Sequence, residues 1–187
     1  MNEESTIKYL FEAGMLKRIS RSGWWAEKVK HPESVADHVF RTAMVAFILA
    51  KLEGADPNKL CTAAVFHDMH ETRLGDHNKI TSRYLDITAE IEAKVEEDQI
   101  KTLDPKLQDA IQKTLDLSEK EQLILKDADY LECALQAKEY LDIGYKGAQT
   151  WIDNIGKRLK TKNGKLLHRK LKTQDSNSWW KGLKRLD

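Results

Sequence analysis

Cysteine and proline are nearly absent from this chain: two and three residues, respectively, in 187. Two cysteines exclude a disulfide-dense secreted scaffold. Cys61 and Cys133 both sit inside apolar helical patterns and read as reduced interior thiols. An excess of charge of either sign is missing as well. Lys plus Arg is 31 and Asp plus Glu is 30, a formal net charge of +1. Bulk attraction to nucleic acid or to an anionic membrane is therefore not implied. No apolar run approaches the roughly 20 residues that a helical membrane span needs. The opening MNEESTIKYLFEAG puts acids first and lacks the basic-then-apolar layout of a secretory signal. A cytoplasmic protein that uses neither nucleic acid nor membrane is the expectation. Sustained period-2 alternation is also lacking, and no segment repeats at 20–50 residues, so neither a sheet protein nor a solenoid is indicated.

What the chain does carry is helical signal. Apolar spacing predicts helices over about 3–14, 34–53, 56–73, 87–102, a stretch opening at 104, 118–144, 146–159 and 164–173. Asp56-Pro57 and Asp104-Pro105 are start signals, because Asp accepts from orphan amides and Pro fits the first turn. Ser118 and Glu121 form a capping-box pattern, and Gly54 is a stop. Val35, Val39, Ala43, Ala46 and Ala50 mark one inner face, with Phe47 and Leu49 beside it. The expected fold is one all-α domain, a bundle of six to eight helices.

One stretch conflicts with a simple core. In AAVFHDMHETRLGD an apolar run ends in His67, Asp68, His70, Glu71, Arg73 and Asp76. His67 and Glu71 are four apart and share a helix face; Asp68 is turned about 100° from His67 yet still flanks the same side. His70 is not excluded by this geometry. Two more polar residues stand on apolar helices elsewhere, His38 and Asp129. An ionised carboxylate there needs a partner, because an unpaired buried charge is costly. Two imidazoles and two carboxylates satisfy one another through a divalent cation. Mixed N and O ligation suits Mn²⁺, Co²⁺, Fe²⁺, Ni²⁺ or Zn²⁺, whereas Mg²⁺ prefers oxygen.

The order His38, His67-Asp68, Asp129 resembles the H…HD…D signature of the HD-domain metal-dependent phosphohydrolases. PESVADH ending at His38, HDMHETRLGD fitting HD-x-x-E-x-x-x-G-D, LKDAD before the last ligand, and the upstream KRISRSGWW are similar to the YfbR-type 5′-deoxynucleotidases. The resemblance spans about residues 5–145; 146–187 is a helical extension within the single domain 1–187. It implies one divalent metal on His38, His67, Asp68 and Asp129, with Asp127 the competitor for the last place. It implies catalytic parts for Glu71 and Asp76, phosphate contact by Arg21, a sugar wall at Trp24 (or Trp25), and a contact from Asp76 to the sugar 3′-hydroxyl or the metal shell. The implied substrate is a deoxyribonucleoside 5′-monophosphate, hydrolysed to deoxynucleoside and phosphate. Homodimers are typical of the family, with Trp151, Trp179 and Trp180 as candidate contacts. The rivals are another HD phosphohydrolase, for dNTPs, (p)ppGpp or cyclic nucleotides, and an inactive metal-bearing binding protein.

Overall fold

Local sequence explains where most helices begin. The structure, a computed structural model, describes residues 2–183. Among them are nine α-helices: α1 (Glu3–Ala13), α2 (Val35–Glu53), α3 (Pro57–Phe66), α4 (Glu71–Leu74), α5 (Ala89–Ile100), α6 (Pro105–Leu115), α7 (Glu119–Asp142), α8 (Ala148–Arg158) and α9 (Lys162–Thr173). Asp56 and Asp104 accept from the first free amides of α3 and α6, each with proline in the first turn. Ser34 with Asp37, and Ser118 with Glu121, form complete capping boxes on α2 and α7. α2 stops at Gly54, which takes a left-handed conformation (φ 68°) that strains other residues.

Eight of these helices match the sequence pattern. The ninth arises because the expected 56–73 helix is broken into α3 and α4. His67 Nδ1 bonds Ala64 O at 2.7 Å, and Met69 O receives both Thr72 Oγ1 and Gln99 Nε2. Side chains thus occupy carbonyls that a continuing α-helix would use. The backbone bonds of Met69, Glu71 and Thr72 run to the third residue back instead. This tight turn over 67–70 is the local feature that aims the polar residues inward.

α2 is the central element, packed on α3 and α7, and α7 in turn carries α8 and α9. Val35, Val39, Ala43, Ala46 and Ala50 are buried as the pattern predicts, and so is Leu49; Phe47, expected beside them, is 43 % exposed. Cys61 and Cys133 are free thiols, Cys133 buried. No helix among the described residues is long and apolar enough to cross a membrane. Leu49 is fully enclosed in the main core. Leu49→Ala is expected to cost about 2–5 kcal/mol in urea unfolding, from lost transfer energy plus the cavity left behind. A cost under about 1 kcal/mol, the size of an average substitution, would contradict this packing.

Candidate metal centre and active site

Two helices and the 67–70 turn converge on four polar side chains. His38 comes from the first turns of α2, Asp129 from the middle of α7, and His67 and Asp68 from the turn after α3. His38 Nε2 lies 3.3 Å from Asp129 Oδ1 and 3.6 Å from Asp68 Oδ2, and His67 Nε2 lies 3.2 Å from Asp68 Oδ1. Ligating atoms of His38, His67 and Asp129 fall within 4.8 Å of one another, as do those of Asp68, His70 and Glu71. All four expected ligands are therefore brought together.

The donor set fits a cation. His67 Nδ1 must carry the proton it gives to Ala64 O, which leaves the Nε2 lone pair facing the cluster. That Nε2, Asp68 Oδ2 and Glu71 Oε2 are buried without hydrogen-bond partners. Buried acceptors left unpaired are costly, and three in one place need a common partner. Electrostatics point the same way. Burial disfavours the charged form of His38, but the carboxylates of Asp129 and Glu132 outweigh this and raise its pKa to about 10. Burial, together with the charges of Asp68 and Asp76, raises the Glu71 carboxyl to about 9. The surrounding carboxylates thus favour a proton on both groups, the same surroundings that would favour a bound cation.

Asp127, the competitor for the last ligand place, is occupied elsewhere. Its carboxylate accepts from Lys160 N, Thr161 N and Thr161 Oγ1 and anchors the start of α9. Two residues along a helix point about 200° apart, which separates Asp127 from Asp129.

The cluster opens into a cavity of ≈ 700 Å³. Arg21 and Trp24 line one side of it. Asp76 is the clamp of this segment. Its Oδ1 accepts from Arg21 at 2.9 Å, and its Oδ2 accepts from Ser22 N and Ser22 Oγ at 2.7 and 2.6 Å. These bonds fix Asp76 in the cavity wall. Trp24 is buried, its Nε1 donating to Glu33 and its ring packed edge-on to Tyr140 and 4.6 Å from Trp151. Trp25, the alternative, is 57 % exposed. Gly23 is required here: a Cβ would lie 2.6 Å from the Trp151 ring.

Several site residues carried no signal in the motif. α8, read as part of an extension, forms a wall of the cavity through Thr150, Trp151, Asn154, Ile155 and Arg158. Their i, i+4, i+8 spacing was visible, but not what it faced. Trp151, half-buried, packs on Trp24, and Trp179 is 75 % exposed. Residues 184–187 of the aromatic, basic tail lie outside the described residues. Lys126 bonds Asp129 Oδ2 at 2.7 Å, and Glu132 and Arg41 stand behind His38.

A family profile described as HD domain matches residues 13–171. This chain belongs to the HD-domain family. A human relative named 5′-deoxynucleotidase HDDC2 is 31% identical over 150 residues, covering 76% of this chain and 71% of that one. A structural-genomics crystal structure superposes with TM-score 0.79 at 34% identity, covering 95% and 99% of the two chains. A cyanophage S-2L HD phosphohydrolase, described as bound to dA and one catalytic Zn²⁺ ion, superposes at TM-score 0.55 over 88% of this chain and 96% of that one. At 16% identity that last likeness concerns the fold alone.

Proposed function

We propose that this HD-domain protein is a metal-dependent 5′-deoxynucleotidase, hydrolysing deoxyribonucleoside 5′-monophosphates to deoxynucleoside and phosphate. The observation that carries the reading is the meeting, at one cavity, of unpaired buried acceptors on His67, Asp68 and Glu71 with the Arg21 guanidinium. The curated relatives named 5′-deoxynucleotidase supply the substrate class.

His38, His67, Asp68 and Asp129 would hold one divalent transition-metal ion. That ion supplies Lewis acidity toward a phosphoryl oxygen and a stronger water nucleophile near neutral pH. The remaining work falls to the chain. Arg21, fixed by Asp76, binds the phosphate and offsets the charge that builds on it. Glu71 takes or gives a proton at Oε2, the oxygen without an internal partner. Trp24, immobilised by Glu33, Tyr140 and Trp151, gives the sugar a rigid apolar wall with no partner for a 2′-hydroxyl. An unpaired hydroxyl against such a wall is penalised. Asp76 is a positioning residue in this account. Arg21→Ala is expected to lower kcat/KM by about 10²–10³-fold, and Asp76→Ala to act through it. Adding Asp76→Ala to Arg21→Ala therefore costs little more, and full additivity would contradict the clamp.

A homodimer belongs to the same reading. Phe40, Met44, Phe47 and Ile48 form an exposed apolar stripe on the outer face of α2, between 43 and 69 % exposed. Such a patch suits a second copy better than water does, and light scattering is expected to give twice the chain mass. A cytoplasmic setting is supported by the two unpaired thiols.

The test is phosphate release from 5′-dNMPs, 5′-NMPs, 3′-dNMPs and dNTPs at saturating Co²⁺. Release confined to 5′-dNMPs is expected; release chiefly from dNTPs would overturn the substrate assignment.

A further inference from the structure

Glu132 lies on no motif that names the family, yet it is one of the most enclosed charges in the molecule. It is fully buried, on the face of α7 that meets α2. Its two oxygens have separate tasks. Oε2 makes a very short contact with His38 Nδ1, and Oε1 accepts from Arg41 Nε at 2.9 Å. Arg41 then spans to α7 again, donating to Gln136 Oε1 at 2.8 Å and Glu139 Oε1 at 2.5 Å. Glu132, Gln136 and Glu139 recur one helical turn apart, so a single guanidinium locks three acceptors along one stripe.

We propose that Glu132 is a positioning residue for the metal centre, acting through His38, and that Arg41 holds it in place. The reasoning is geometric. A carboxylate on Nδ1 keeps the proton at that nitrogen, and so presents the Nε2 lone pair to the side where Asp68 and Asp129 lie. Thr42 Oγ1, 3.4 Å from Nε2, is at the long edge of bonding distance and leaves Nε2 available. Both Glu132 oxygens already bond within the chain, Oε2 to His38 and Oε1 to Arg41. His67 is oriented differently, by the neutral carbonyl of Ala64. The two imidazoles are therefore held by unlike partners.

This inference rests on the metal-centre reading, and its test separates the two. Co²⁺ affinity is measured by competition with a chelating indicator, and the visible absorption of the Co²⁺-loaded protein is recorded, for the wild type, Glu132→Gln and Glu132→Ala. Glu132→Gln keeps shape and an acceptor and loses the charge, so it remains folded if the alanine variant does not. The expected result is Co²⁺ binding weakened about 10–100-fold, with a changed visible spectrum and kcat recovering at high Co²⁺ in Glu132→Gln. A merely structural part would lower the melting temperature and leave affinity and spectrum alone. Co²⁺ affinity within twofold of wild type in Glu132→Gln overturns the proposal while leaving the centre intact. A wild type that binds no Co²⁺ overturns both.

Discussion

Asp68→Asn is expected to reduce hydrolysis of 5′-dNMPs by more than about 10³-fold, a barrier increase of more than about 4 kcal/mol, to the level of chelator-treated protein. Asp68 is the carboxylate that faces both imidazoles, at 3.2 Å from His67 Nε2 and 3.6 Å from His38 Nε2. Asparagine keeps the shape but removes a charge and turns an amide donor toward lone pairs that need a cation. Burial disfavours the Asp68 charge, but His67, His38 and Arg21 outweigh this and hold its carboxyl below the ordinary value even without a cation. Metal-free Asp68→Asn is therefore expected to melt lower than metal-free wild type, and Co²⁺ to stabilise the wild type alone. An Asp68→Asn protein with wild-type turnover would remove Asp68 from the centre.

Glu71→Gln is expected to lower kcat by about 10²–10⁴-fold, the range of a positioned general acid or base, with Co²⁺ still bound. Glu71 opens α4, 9 % exposed, with Oε2 unpaired in the site. Glutamine conserves size and polarity there but cannot exchange a proton. The measurement is steady-state phosphate release at saturating Co²⁺, with Co²⁺ affinity measured in parallel. Loss of kcat with affinity retained separates proton handling from metal holding. Unchanged kcat would remove the part given to Glu71.

The helices were legible because their signals are local. Asp-Pro openings, two Ser-initiated capping boxes and Gly54 all act within four residues of a helix end. The meeting of His and Asp side chains was legible for a different reason: His38 and Asp129 are expensive on apolar helices unless something compensates them. The break at Phe66 was not legible, since it depends on Gln99, thirty residues away, bonding Met69 O. The clamp that Asp76 makes was not legible for the same kind of reason. Its partners Arg21 and Ser22 are more than fifty positions distant, and no local spacing pairs them. Glu132 had one usable trace, an acid between Leu131 and Cys133 in the apolar middle of its helix, but its meaning requires α2 beside α7. α8 hid its part in the cavity because an amphipathic helix looks alike whether its face meets a core or a substrate.

The most direct test of the central claim is metal dependence. The protein is stripped with a chelator, and phosphate release from 5′-dAMP is followed as Mn²⁺ or Co²⁺ is added back, beside His67→Ala treated identically. The account predicts no release from the stripped protein, recovery with added metal, and none in the variant at any metal concentration. Full activity in the stripped protein, or recovery in His67→Ala equal to wild type, would contradict it.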